Sequence, residues 1–183
     1  MDTERFPIEG LRRDDIVKLL NDVAKEAERR EVEVSLFLVG GAAMALAYST
    51  SRATKDLDGV FEPKSIVYEI AAHVAQQRPE YGLSPDWLND AAKSFMPGED
   101  ADATTLFETI GLSVRIASPR YLFVMKALSA READEDDLRT LYPLCGFASA
   151  SEALDAVASA YPGRLLKAST QYLVEGIAQD GLS

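Results

Sequence analysis

At 183 residues, 47% of them apolar, the chain is the size of one globular domain with a single core. One cysteine, Cys145, and one histidine, His73, leave nothing from which to build disulfide scaffolds, zinc clusters or histidine-based triads. A formal charge of −11 argues against a long nucleic acid laid across the surface, because such binding rests on Lys and Arg neutralising phosphates.

No apolar run approaches the ~20 residues of a membrane helix. The opening Met-Asp-Thr-Glu-Arg-Phe-Pro lacks the basic-then-apolar order of a signal peptide, so a cytoplasmic location and no membrane partner are expected. Acids cluster over 99–102 and 132–137. Arg12, Arg13, Lys18, Lys25, Arg29 and Arg30 lie in the N-terminal part among its own acids and read as a solvated helix face, which leaves open a local basic groove for an RNA end. Cys145 reads as a small buried hydrophobe, and His73, within a helical segment, as structural.

In chain order, Leu11, Ile16, Leu19, Leu20, Val23 and Ala27 recur at helical spacing and predict an amphipathic helix over 12–31. The apolar run 34–39 predicts a core strand. Gly40 and Gly41 follow it, then a short Ala-rich helix over 41–48, a basic polar connection over 51–55, and a second strand over 56–61 that begins Asp56-Leu57-Asp58. Alternation on a strand sends both aspartates to one face and Leu57 to the other. Two like charges that close suit a hard cation such as Mg2+ or Mn2+ shared with a substrate's phosphate oxygens. The glycine pair suits the same purpose, because it lets backbone N–H groups come close to a phosphate.

Pro63 opens a helix running to residue 78, Gly82-Leu-Ser-Pro85 interrupts, and a short helix is expected over 86–93, with Trp87 in the core. A polar loop over 97–102 precedes strands over 105–108 and 112–117 that turn at Ile110 and Gly111. Leu112, Val114 and Ile116 take the apolar face, and Ser113, Arg115 and Ala117 the other. Ser118 and Pro119 start a helix over 120–131, in which Lys126 sits among apolar neighbours and must either reach out to solvent or meet a negative group. If that helix ran on, Asp137 would fall within about 20° of Lys126 and Asp134 about 80° away, which favours Asp137 as the partner. Helices over 151–160 and 164–178 close the chain. There is no internal repeat, and the two termini read as disordered.

The order strand, Gly40-Gly41, short helix, then Arg52, Thr54, Asp56 and Asp58 at alternate positions resembles the nucleotidyltransferase superfamily that includes DNA polymerase beta. Within it the chain resembles the AbiEii-like branch of toxin-type nucleotidyltransferases and their uncharacterised relatives. Trp87-Leu-Asn-Asp90 is similar to a segment of those relatives. Pro119, Tyr121, Leu122, Met125, Lys126 and Arg131, followed by Asp134, Asp137 and Leu138, resemble the second signature of the AbiEii-like families.

The resemblance covers residues 34 to 142 and implies a mixed α/β nucleotidyltransferase fold, a small mixed central sheet flanked by helices with a helical C-terminal part. The whole, 1–183, is expected as one domain, with a core over 34–142 and C-terminal helices over 149–178. It implies transfer of a nucleoside monophosphate from an NTP to an acceptor hydroxyl. Asp56 and Asp58 would hold Mg2+ or Mn2+, and Gly40, Gly41, Arg52 and Thr54 would bind the nucleotide. Lys126 would bind the nucleotide and neutralise developing charge, and Asp137 would orient or deprotonate the acceptor. It further implies a toxin acting on an RNA end and held in check by a cognate antitoxin, whereas a protein or small-molecule acceptor suits the acidity better. Many members carry a third metal carboxylate on a strand in the region 112–117. This chain has none there, which leaves open a degenerate fold that binds a nucleotide or a protein without turnover.

Overall fold

The computed structural model describes residues 10–49 and 51–181. The termini expected to be disordered lie outside the described residues, apart from Gly10 and Gly181. The chain gathers into two compact units, one from residues up to 94 together with 103–116, the other from 95–102 together with 117 onward.

The first unit is a five-stranded mixed sheet with two long helices. Strand β1 (Val34–Leu38), an apolar run broken only by Ser35, lies at its centre. Val34, Leu36 and Leu38 are buried on one face, and Ser35 and Phe37 take the other. It pairs antiparallel with β2 (Leu57–Glu62) and parallel with β5 (Leu112–Ile116); β3 (Leu88–Asn89) lies parallel outside β2, and β4 (Thr104–Glu108) antiparallel outside β5. Helix α1 (Arg13–Arg29) buries Ile16, Leu19, Leu20, Val23 and Ala27, and α3 (Lys64–Gln77) buries Val67, Ile70, Ala71 and Val74. Both pack on the face carrying Leu36, Phe61 and Val114. Between β1 and β2 the chain makes one turn of helix, α2 (Gly40–Ala43), which loosens into a π-turn over Met44–Tyr48; Ser49 N donates to Met44 O at 2.8 Å, and Arg13 Nε to Leu46 O at 3.2 Å.

Two differences from the sequence reading bear on the site. Residues 86–93 are not a helix. Trp87 is fully buried with its indole N–H donating to Ala71 O at 2.8 Å, and its own carbonyl accepts from Leu57 N at 2.6 Å. That anchoring straightens Leu88 and Asn89 into β3, and only Ala91–Phe95 coil, as a 3-10 turn. Asp56 stands in the bend before β2, so only Asp58 is a strand residue.

The second unit is helical. Helix α4 (Pro119–Ser129) starts at Ser118, whose hydroxyl accepts from Tyr121 N at 3.3 Å. The buried Asp100 carboxylate accepts from Ser118 N at 2.7 Å and from Ser118 Oγ at 3.0 Å, strapping the 95–102 loop to that start. Helices α5 (Glu135–Cys145), α6 (Ala150–Ala160) and α7 (Ala168–Asp180) follow, α7 beginning four residues later than the spacing predicts. Phe123, Tyr142 and Phe147 form an aromatic cluster with ring centroids 5.2 to 5.9 Å apart. Cys145 is buried, and burial pushes its thiol up to about 12, far from a reactive thiolate. Among the described residues no helix is long and apolar enough to cross a membrane.

Glu26 on α1 is a buried charge of the first unit that the fold pairs. Its carboxylate, 7% exposed, accepts from Arg29 at 2.6 and 2.8 Å and from Arg30 at 2.7 Å, and lies 3.7 Å from His73 Nε2 on α3. The Arg29 bonds hold its carboxyl down at about 2, against the opposing effect of burial and with further help from Arg30 and His73. A carboxyl depressed in the fold stabilises it above the ordinary value of 4.5, and that contribution drains away as pH falls from there to about 2. Glu26→Gln is therefore expected to cost about 1–2 kcal/mol near neutral pH and to flatten the acid limb of a stability–pH curve, measured by urea unfolding between pH 2 and 7.

Candidate active site

The site in the first unit grows from the exit of β1. Val39 is extended, and its N–H donates to Asp58 O at 2.9 Å, so the chain leaves the sheet directly beside Asp58. Gly40 then turns at φ +61°, a left-handed conformation that favours glycine, and a Cβ there would lie 3.5 Å from Asp58 Oδ2. At Gly41 a Cβ would fall 2.8 Å from Thr54 Oγ1 and 3.1 Å from Thr54 Cβ, with Arg52 Nη2 at 4.0 Å. The backbone of the glycine turn is thus packed against three of the polar side chains singled out from the sequence.

Thr54 is held from both sides. Its backbone pairs with Leu11, N–H to O at 2.6 and 3.0 Å, and its hydroxyl donates to Asp56 O at 2.9 Å. Leu57 is fully buried between half-exposed Asp56 and Asp58, as alternation predicts, although Asp56 is outside the strand. Gly40, Gly41, Arg52, Thr54, Asp56 and Asp58 therefore form one neighbourhood.

One residue of this neighbourhood was missed by the sequence reasoning. Asn89 is the register partner of Asp58 on β3, and its Nδ2 approaches Asp56 Oδ2 at 3.5 Å. Its only sequence signal was membership of the Trp87-Leu-Asn-Asp90 segment. The next residue, Asp90, bonds elsewhere, to Lys64 at 2.6 Å and the Tyr68 hydroxyl at 2.6 Å. Lys64 first and Tyr68 second hold its carboxyl below the usual range.

In the second unit Lys126, 6% exposed, meets negative groups rather than solvent. Its Nζ lies 2.7 Å from Asp134 Oδ1 and 2.8 Å from Asp137 Oδ2, both aspartates being buried. The choice between Asp134 and Asp137 dissolves because α4 does not run on. Ala130 takes φ +48° and ends it, a 3-10 turn covers Glu132–Asp134, and both carboxylates swing onto one ammonium. Burial raises the Asp134 carboxyl, but the hydrogen bond and charge of Lys126, with Arg131 Nε at 2.9 Å, outweigh it and leave it below its ordinary value.

Among the described residues no group of three or more His, Cys, Asp or Glu side chains gathers as a metal centre. The Asp56 and Asp58 pair nonetheless fits a hard divalent ion that draws its remaining ligands from water and phosphate. Both carboxylates are half-exposed oxygen donors, and Gly40 leaves beside Asp58 the space a Cβ would fill.

Comparison with curated proteins and with solved structures finds no match. Comparison with protein families finds one described as nucleotidyltransferase of unknown function (DUF6036), matched over residues 15–144. That span holds the glycine turn, both half-exposed aspartates, Asn89 and the Lys126 cluster, and it exceeds half of the chain. With a five-stranded mixed sheet flanked by helices and a glycine turn packed on the strand that carries Asp58, the chain belongs to this nucleotidyltransferase family.

Proposed function

We propose that the protein transfers a nucleoside monophosphate from a nucleoside triphosphate to an acceptor hydroxyl. The observation that carries this reading is the close packing of the Gly40-Gly41 backbone on Asp58 and Thr54, which sets a turn without side chains beside the strand that carries Asp58. In the reaction the acceptor hydroxyl gives up its proton to a base, the role the resemblance gives Asp137. The acceptor oxygen bonds to the α-phosphorus, the bond from that phosphorus to the bridging oxygen breaks, and pyrophosphate leaves with that electron pair. Asp56 and Asp58 hold the divalent ion, Mg2+ or Mn2+, which supplies charge neutralisation on the triphosphate. Gly40 and Gly41 offer backbone to the phosphates without side chains in the way, and Arg52 and Thr54 flank them. Catalysis of this kind is mostly positioning and electrostatics, which suits a site without histidine.

The resemblance to AbiEii-like toxins favours an RNA end as acceptor and a cognate antitoxin as partner. The net charge of −11 favours a protein or small-molecule hydroxyl, and a long nucleic acid fits least. Incubation with each labelled NTP, Mg2+ and either total RNA or lysate separates these acceptors. Absence of transfer to any of them, with nucleotide binding retained, identifies a binding module on the same fold.

Replacing both carboxylates, Asp56→Asn with Asp58→Asn, removes two neighbouring like charges, so stability without metal should hold or rise by tenths of a kcal/mol to ~1 kcal/mol. NTP binding by the wild type should require a divalent ion and vanish in the double variant; calorimetry showing equal wild-type affinity in EDTA counts against the reading.

Lys126 and Asp137, assigned by the resemblance to the nucleotide and the acceptor, are also an ion cluster of the second unit. Lys126→Met removes the ammonium that two buried carboxylates share, leaving Asp134 only its bond to Arg131, and is expected to cost about 3–5 kcal/mol. Adding Asp134→Asn and Asp137→Asn should recover much of that loss in thermal unfolding. If the triple variant, refolded, still binds NTP like the wild type, Lys126 has no part in nucleotide binding.

A further inference from the structure

The strand that carries Asn89 is only two residues long, yet each residue of its segment is fastened. Trp87 is fully buried with its indole bonded to Ala71 O, and Leu88 is fully buried. Asp90 is held by Lys64 and Tyr68. Asn89 alone turns to the face that carries Asp58. Its amide orientation is determined by its neighbours. Oδ1 accepts from Ala91 N at 3.0 Å, a contact only the oxygen makes, so Nδ2 is the atom aimed at Asp56 Oδ2, 3.5 Å away. Asp56 itself stands in a bend, where no ladder fixes its side chain.

We propose that Asn89 is a positioning residue for the divalent-ion site. Its amide holds the Asp56 carboxylate beside Asp58, and the β3 segment exists to hold that amide. The inference rests on the nucleotidyltransferase reading above and adds to it a residue which acts through Asp56 rather than on substrate. An amide suits the task where a carboxylate would not, because it donates to Asp56 while adding no third negative charge when the ion is away. Outer partners of metal-binding carboxylates act in this way, orienting a ligand that would otherwise have to be ordered when the ion arrives.

The test uses the full chain and Mn2+ alone as probe, with free Mn2+ read by electron paramagnetic resonance and unfolding followed in EDTA and in Mn2+. Asn89→Ala should weaken Mn2+ binding about tenfold. Asn89→Asp keeps an oxygen for Ala91 N but sets a third carboxylate beside two others. Its Tm should fall in EDTA, and its rise on adding Mn2+ should exceed that of the wild type. A purely local role, latching Ala91, would lower stability equally with and without Mn2+ and would leave affinity alone. Mn2+ affinity of Asn89→Ala within about twofold of wild type, together with an ordinary Mn2+ response of Asn89→Asp, overturns the proposal. Should Asn89→Ala fail to fold, the Asn89→Asp comparison decides alone. The transferase reading is separated by the wild type itself. If it binds no Mn2+ that Asp56→Asn with Asp58→Asn abolishes, both readings fall, whereas normal wild-type binding with unresponsive Asn89 variants removes only the role of Asn89.

Discussion

The approach of backbone to side chain at Gly40 and Gly41 governs the arrangement of the first unit's polar end. A methyl group at Gly41 would sit 2.8 Å from the Thr54 hydroxyl, closer than carbon and oxygen tolerate, and Gly40 needs a left-handed turn. Because β1 hands the chain over through Val39, already hydrogen-bonded to the backbone of Asp58, that turn is built onto the aspartate strand. Thr54 is then trapped between the turn, Leu11 and the backbone of Asp56. Arg52, Thr54 and Asp58 come together around two glycines that have no side chains.

The second unit solves a different electrostatic problem. Lys126 lies on a helix whose neighbours Leu122, Phe123 and Ala127 are buried, and a lone ammonium there would be costly. Two carboxylates reach it only because the chain reverses at Ala130 and re-enters helix at Glu135. The cluster therefore fixes the junction of α4 and α5, with Arg131 on Asp134 balancing the second carboxylate. Such buried ion pairs add little net stability over apolar packing, but they are intolerant of losing a member. They specify one arrangement of the two helices more than they strengthen it.

Much of this was legible in the sequence where a pattern repeats. An apolar run placed β1, alternation placed the apolar face of β5 and the burial of Leu57, and helical spacing placed α1 and α3. The glycine pair followed by spaced polar residues marks the neighbourhood of Asp58, Thr54 and Arg52 that the fold assembles. What stayed hidden depends on single long-range contacts. The segment 86–93 has helical composition, and it is the anchoring of Trp87 to Ala71, sixteen residues earlier, that stretches it into β3. Asn89 has no periodicity to announce it. The choice between Asp134 and Asp137 assumed a continuous helix, and an alanine in a left-handed conformation gives no advance sign of breaking one.

The parallel pairing of β1 with β5 reaches across most of the first unit's sequence, from Val34 to Leu112. During synthesis on a ribosome β1 and β2 emerge early and can pair, but the other edge of β1, a row of unpaired N–H and C=O groups, stays without its partner until residues 112–116 have left the exit tunnel. The polar end carrying Gly40 and Asp58 is thus assembled on a strand that remains open on one side for much of translation. Any division of the gene, or proteolytic cut followed by separation of the pieces, between β2 and β5 would leave that central edge bare and prone to pair with another chain.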